Sequence, residues 1–304
     1  MEERGLKIIP GILAGTGLFG ASFLLRSQYE RDCLSTEEFV IRSRKIKGAG
    51  KTFVFLSDLH DKEFGAGNQK LLAAVRRAKP DAVLIGGDMM VAKGKADLTV
   101  SLGLLEALSK EWPVYCGNGN HEARMRRETD RYGALYREYR HALREMGICC
   151  LCDQSVSFGE DIEIYGLDLP DTTYHSSRPR LPKHYLERVL GPGESDRFAI
   201  LLAHSPCFFR EYAGWGADLT LAGHFHGGTI RLPLLGGVMT PQYQFFYPWC
   251  GGCFHASGEF PGEFEAEQEH TMIVSRGLGT HSVNIRFNNK PQVVVVKILN
   301  PTIF

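Results

Sequence analysis

Two histidines one residue apart, His224 and His226, lie in the stretch GHFHGG at 223–228, directly after the strand-like run DLTLA. Four other apolar runs end in the same way, on polar groups beside glycine or another small residue. Ser57-Asp58-Leu59-His60 follows the run 52–56, Gly86-Gly87-Asp88 follows 82–85, and Gly119-Asn120-His121-Glu122 follows 113–116. Ala203-His204-Ser205 follows 198–202. In α/β sheets the ligand crevice lies at the carboxyl ends of the strands, so these five turns are expected to converge there. The donors are the imidazoles of His60, His204, His224 and His226, the carboxylates of Asp58 and Asp88, and the amide of Asn120. Nitrogen and oxygen donors without thiolate suit Mn, Zn, Fe or Ni. Seven donors exceed one tetrahedral ion and suit two ions sharing a carboxylate. Asp58 and His60, like His224 and His226, are expected to point to one side of an extended backbone.

The elements around these turns alternate. Strands are predicted at 52–56, 82–85 and 113–116, with helices at 68–79 and 98–108 and a long charged helix at about 122–146. Apolar runs of this kind suit strands covered on both faces. A strand is also expected at 38–42. Beyond residue 150 the pattern predicts strands at 154–158, 162–167, 198–202, 218–222, 229–232, 271–275, 283–287 and 292–298, forming a second sheet packed on the first, with a helix near 182–190. Residues 233–268 read as a long loop over one end of the sheets.

Composition narrows the function classes. The 304 residues carry 35 Lys plus Arg and 35 Asp plus Glu, so no net charge attracts nucleic acid and any anion affinity must be local. The segment Ile8–Leu25 has no charged residue and is flanked by Arg4, Lys7 and Arg26. It reads as an uncleaved single-span membrane anchor, at the short end of the ~20 residues usually needed. The basic residues Arg26, Arg31, Arg42, Arg44 and Lys45 favour a cytoplasmic catalytic domain. The expected organisation is an anchor at 1–30, a linker with an edge strand at 31–51, and one domain at 52–304. The eight cysteines, including the Cys250–Cys253 pair, read as reduced thiols.

The ordered series SDLH (57–60), GGD (86–88), GNHE (119–122), AHS (203–205) and GHFHGG (223–228) closely resembles the calcineurin-like metallophosphoesterases. Phe64-Gly65 and Ser275-Arg276-Gly277-Leu278-Gly279 are similar to the membrane-anchored bacterial branch. The resemblance covers about 52–298 and implies a four-layer αββα fold, a two-sheet sandwich flanked by helices. It implies that Asp58, His60 and His226 hold a first metal, that Asn120, His204 and His224 hold a second, and that Asp88 bridges them. It also implies that His121 faces the substrate as general acid. The implied reaction is hydrolysis of a phosphate mono- or diester, possible substrates including lipid-linked ones. Two divalent ions roughly 3.5–4 Å apart would acidify a bridging water to hydroxide. Asn118 reads as a turn residue, and Phe225 stands where a small hydroxyl residue is commoner.

Two other readings compete. An amidohydrolase would place its HxH on an early strand, whereas here it comes late. A non-catalytic metal-binding scaffold would not need His121 beside all seven donors. Arg124, Arg126 and Arg127 read as a solvated helix face, Asp168 and Asp171 as turn residues, and His281 as a candidate pocket residue. His141, His175, His184, His255 and His270 read as surface residues. The loop 243–249 has five aromatics in seven residues. It is expected either to pack on the sheet edge or to touch lipid or an apolar part of the substrate.

Overall fold

Along Lys51–Leu56, Phe53 and Phe55 enter one buried apolar cluster while Val54 and Leu56 enter another. A strand does this because successive side chains point to opposite faces. The computed structural model describes residues 20–176, 178–193, 196–240, 243–256, 270–280 and 283–303. Its strands are β1 (Ser35–Arg42), β2 (Lys51–Leu56), β3 (Ala82–Ile85), β4 (Val114–Cys116) and β5 (Cys149–Cys150), then β6 (Gln154–Phe158), β7 (Ile162–Leu167), β8 (Phe198–Ala203) and β9 (Leu219–Ala222). They continue with β10 (Arg231–Leu232), β11 (Gly236–Gly237), β12 (Gly252–Ala256), β13 (His270–Val274) and β14 (Gln292–Leu299).

Two six-stranded sheets result, ordered β1-β14-β2-β3-β4-β5 and β12-β13-β9-β8-β7-β6, with β10 and β11 forming a separate hairpin. β2, β3 and β4 run parallel, as do β7, β8 and β9, so their carboxyl ends open on one edge of each sheet. Phe53, Phe55 and Leu84 from the first sheet meet Ile164, Ile200 and Leu221 from the second. Helices cover the outer faces. α1 spans 20–32; α2 is Gln69–Ala78 and α3 is Thr99–Ser109. α4 (Asn120–Arg127), α5 (Thr129–Tyr132) and α6 (Leu135–Glu145) follow, then α7 (Thr172–His175), α8 (Tyr185–Leu190) and α9 (Phe209–Trp215). Leu71, Val75, Leu104 and Leu143 pack behind the first sheet, and Leu186, Tyr212 and Trp215 behind the second. The chain is mixed α/β, with two multi-stranded sheets flanked by helices.

Five elements differ from expectation, the first being the strand expected at 229–232 in the second sheet, which instead forms β10 of the separate hairpin with β11. The single helix at 122–146 is three, because Glu128 leaves helical geometry (ψ 59°) and Gly133 takes a positive φ of 57°. The strand at 292–298 belongs to the first sheet, inserted between β1 and β2, because its Val294 and Val296 complete that sheet's inner face. Residues 283–287 form no strand beyond one bridge from Phe287 to Ile230, because Arg286 there is committed to loop carbonyls. The loop at 233–268 contains β12, an edge strand paired with β13. The expected membrane span falls mainly on residues 8–19, outside the described residues. Among the described residues no helix is long and apolar enough to cross a membrane.

The face-to-face core is tight where it meets the site. A Cβ on Gly86, at the end of β3, would lie 2.5 Å from the ring of Phe55. Phe55→Ala should therefore destabilise the protein by about 3–5 kcal/mol in urea unfolding, the range for a large buried ring. A loss below about 1 kcal/mol would mean that the sheets do not pack through this ring.

Candidate metal centre

The turns after five strands bring their polar ends together, and the backbone does so in an unusual way. Asp58, His60, Asp88, His224 and His226 all have positive φ, between 47° and 69°. The expectation of extended segments with side chains on one side is therefore corrected. The turns after β2, β3 and β9 curl through the left-handed region, which disfavours side chains and is found where surrounding structure enforces it. Glycine makes the approach feasible: a Cβ on Gly223 would sit 2.2 Å from Asp58 Oδ2, and one on Gly119 the same distance from Asp88 Oδ1.

Three overlapping groups of donor atoms lie within 4.8 Å of one another: Asp58, His60 and His226; Asp88, His204 and His224; and His60, Asp88 and His121. His60 Nε2 lies 3.2 Å from His226 Nε2 and 3.8 Å from Asp88 Oδ2. His204 Nε2 is 3.1 Å from Asp88 Oδ2. Asp88 thus belongs to two groups that otherwise share no residue. Asn120 Oδ1 is buried with no hydrogen-bond partner, a cost that a cation would remove. The residues present fit bound divalent metal.

The tautomers are set from behind. His204 Nδ1 donates to the Gly86 carbonyl at 2.7 Å and His226 Nδ1 to the Gly279 carbonyl at 3.1 Å, leaving both Nε2 atoms facing the carboxylates. Asp58 accepts the Ser57 hydroxyl at 2.6 Å and the His224 amide at 3.0 Å. Burial pushes the Asp58 carboxyl up to about 6, against the pull of His204. Burial acts on Asp88 in the same sense, but the charges of His204, His121 and His60 outweigh it and hold that carboxyl well below its usual range. His204 is itself pushed up to about 10, since its pairing with Asp88 overcomes its burial.

His121 opens α4. Its amide donates to Asp88 Oδ1 at 2.8 Å, and its ring Nδ1 accepts the Ala92 amide at 2.7 Å. The ring proton therefore sits on Nε2. Transfer of that proton from the neutral ring would leave an imidazolate, so a general acid here must first protonate Nδ1 and break the Ala92 bond.

Several supporting residues carried no sequence signal of their role. Glu122 is buried and accepts three amides, from Asp88, Met89 and Gly119, each at 2.9 Å. Burial, with the charge of Asp88, pushes it up to about 7. Arg286, also buried, donates to the carbonyls of Arg276, Gly277 and Gly279 at 2.9, 3.1 and 2.8 Å. Its burial draws the guanidinium down to about 9. Asn289 donates to the His226 carbonyl at 2.7 Å. Tyr174 places its ring 5.1 Å from that of His224 and closes one side of the site. Glu122 is the last residue of GNHE, so its proximity is legible in the sequence and its clamping is not. Arg286, Asn289 and Tyr174 are ordinary residues of polar segments.

Other expected sites are redrawn. Asn118 is more than a turn residue, since its amide donates to Asp168 at 3.1 Å and to the Tyr136 hydroxyl at 3.0 Å. Arg126 pairs with Asp168 at 2.6 Å and Arg127 with Asp171, so this helix face is partly neutralised. Phe225 is fully buried with its ring 5.1 Å from that of Tyr247, so it lines no opening. His270 is buried with Nδ1 on the Ala217 carbonyl, against the surface expectation, because its strand lies inside the second sheet. His281 lies outside the described residues. None of the eight cysteines, all among the described residues, forms a disulfide.

The geometry agrees with what the chain is similar to. A profile of the calcineurin-like phosphoesterases matches residues 51–228. The chain is 27% identical to an uncharacterized metallophosphoesterase of Bacillus subtilis (strain 168), YkuE, covering 97% of this chain and 96% of that protein. It is 25% identical to the phosphodiesterase YaeI of Escherichia coli (strain K12), covering 84% of each. It is 26% identical to an uncharacterized metallophosphoesterase of Aquifex aeolicus (strain VF5), covering 90% of this chain and 94% of that one.

The site carries a pH signature without metal. Asp58 and Glu122 keep a proton in the folded state, up to about 6 and about 7, after the unfolded chain has lost it near 3.8 and 4.5. Stability from these two groups therefore falls as pH rises through that window. His204 acts in the same direction between 6.5 and about 10. Asp88 acts oppositely, but only below 3.8. The melting temperature of chelator-stripped protein should fall between pH 5 and 8, and adding a divalent metal at pH 7.5 should raise it. A stripped protein that grows more stable over that range would contradict this electrostatic picture. Since the matching profile spans more than half of the chain, the protein belongs to the calcineurin-like phosphoesterase family.

Proposed function

We propose that this protein is a two-metal phosphoesterase that hydrolyses a phosphate mono- or diester. The observation carrying this reading is that two separate donor groups, Asp58/His60/His226 and Asp88/His204/His224, are linked by a third, His60/Asp88/His121, which shares His60 with the first and Asp88 with the second. In it Asp58, His60 and His226 hold one ion, Asn120, His204 and His224 hold the other, and Asp88 serves both. Two bound divalent ions would supply charge for the phosphoryl oxygens and acidify the attacking water. The donor set suits Mn, Zn, Fe or Ni.

The chain's own groups orient this chemistry. Gly86 and Gly279 lock the imidazoles of His204 and His226 with Nε2 forward. Glu122 holds the Asp88 turn by its amides. His121 presents Nε2–H to the ester as a hydrogen-bond donor, and the general-acid role expected from sequence requires its second nitrogen to exchange Ala92 for a proton. Tyr174, beside His224, contributes an aromatic wall to the substrate's surroundings.

Membrane attachment through the apolar segment Ile8–Leu25 is part of the same reading, with the catalytic domain on the cytoplasmic side as the flanking basic residues favour. It makes lipid-linked phosphate esters candidate substrates beside soluble ones.

Two variants test the assignment on chromogenic mono- and diesters with metal content measured in parallel. His121→Ala should retain metal and lower turnover on the order of 10²–10³-fold, the effect of losing one preorganised donor. If the loss is equal for nitrophenyl and alkyl leaving groups, His121 is a donor only. A much larger loss on the alkyl ester makes it the acid. Metal loss in this variant would remove it from either role. Asp88→Asn should lower metal occupancy and abolish turnover together, and full turnover with both metals retained would remove Asp88 from the centre.

A further inference from the structure

The aromatic loop resolves into two halves with opposite fates. Tyr247 and Trp249 turn inward, their rings 5.1 Å from Phe225 and 6.0 Å from Phe209. Phe245 and Phe246 turn outward and are 66% and 51% exposed. The neighbouring β10–β11 hairpin is as open: Leu234 at its tip has no cover at all and Leu235 is 64% exposed. Leu24 and Leu25 on α1 are 62% and 71% exposed.

These three pieces are tied into one surface. Phe23 of α1 stacks on Phe287 with ring centroids 4.9 Å apart. The Phe287 carbonyl accepts the Arg231 amide at 2.9 Å at the base of the hairpin. The Phe246 amide donates to the Val238 carbonyl at 2.9 Å just past the hairpin, and Met239 bridges Phe245. α1 is itself fixed to the fold, because Ser27 Oγ accepts the Arg286 amide at 3.0 Å and the buried Glu30 carboxylate accepts the Asn289 amide at 2.9 Å.

We propose that this surface sits in the interfacial layer of a lipid bilayer, with the β10–β11 hairpin and the Phe245–Phe246 turn forming a second, non-spanning contact beside the N-terminal segment, whose last residues Leu24 and Leu25 lie on α1 at its edge. Clustered exposed leucine and phenylalanine mark an interaction surface. The choice of lipid follows from what adjoins it. The uncharged run Ile8–Leu25 leads directly into α1, and α1 joins the fold at this surface. Arg26, which follows Leu25 on α1 and also pairs with Glu30 at 2.7 Å, and Lys290, which follows Asn289, are both exposed and match anionic headgroups. Apolar side chains inserted at the level of the headgroups with basic residues alongside are the pattern of interfacial binding. The fold would then be held against the membrane at two points, with the hairpin and loop dipping in.

The contact also bears on the metal centre. Arg286 and Asn289, which receive α1 through their amides, are the residues that brace the Gly279 and His226 carbonyls. Docking at this surface therefore orients the side of the site that carries His226.

The proposal rests on membrane association of the N-terminal segment, and the experiment separates the two. The full-length chain is reconstituted with phosphatidylethanolamine–phosphatidylglycerol vesicles, with or without lipid brominated near the headgroup. Leu234→Trp is compared with the unsubstituted chain so that the native tryptophans cancel. The expected result is that the protein sediments with vesicles and that brominated lipid removes about half or more of the added indole emission. Sedimentation without quenching would overturn the second contact and leave the anchor intact. Failure to sediment would overturn both. A blue-shifted indole that appears without vesicles and depends on protein concentration would show a second copy of the chain on this surface, which also overturns the proposal. As a functional arm, Leu234→Glu combined with Phe246→Glu should lower hydrolysis of a vesicle-borne phosphate ester by about 3–10-fold and leave hydrolysis of a soluble nitrophenyl ester unchanged; equal losses on both would count against lipid docking.

Discussion

Two carboxylates buried side by side impose the main constraint on this molecule. Asp58 and Asp88 have lost water, and each raises the other's cost of ionisation, yet Asp88 stays ionised because three imidazoles surround it. A cluster of this kind is costly as a structural core, where apolar side chains would pack better. It becomes reasonable where cations complete the charge. The orphaned oxygen of Asn120 points to the same conclusion from a neutral group. The sheets, the turns and the bracing residues around them can all be understood as holding these groups at close range.

Holding them there takes both sheets. β2, β3 and β4 deliver Asp58, His60, Asp88, Asn120 and His121, while β8 and β9 deliver His204, His224 and His226. The groups Asp58/His60/His226 and Asp88/His204/His224 each draw on both sheets, so the inter-sheet core of Phe53, Phe55, Ile200 and Leu221 is also what sets the spacing of the site. A second layer of polar contacts then removes the remaining freedom. Glu122 gathers three amides on the Asp88 side, and Arg286 gathers four carbonyls on the His226 side. The two clamps have opposite charge and neither contacts the other, which lets each offset a different surplus of backbone dipoles.

The exposed apolar surface gives the centre an orientation. α1, the hairpin and the outer half of the aromatic loop lie on the side braced by Arg286 and Asn289. If lipid covers that side, the two halves of the loop serve different purposes. Tyr247 and Trp249 fix the loop to the fold through Phe225 and Phe209, and Phe245 and Phe246 extend from it.

The donor residues were legible in the chain because strand ends are written in local patterns: an apolar run, then glycine beside Asp, Asn or His. Burial of both faces of β2 and helical spacing in α2 were legible for the same reason, since each depends on neighbours in sequence. The long helix at 122–146 was misread where Glu128 and Gly133 break it, and β14 was assigned to the wrong sheet. Strand partners are chosen by long-range packing, which no local pattern records. The left-handed φ at five donor residues, the Nδ1 acceptor on His121, and the clamping by Glu122, Arg286 and Asn289 emerged only in three dimensions. By itself the sequence determined which groups are available and the order in which the chain presents them. Tertiary structure alone decided which atoms face one another, because a hydrogen bond or a shared charge depends on distance through space and not on separation along the chain.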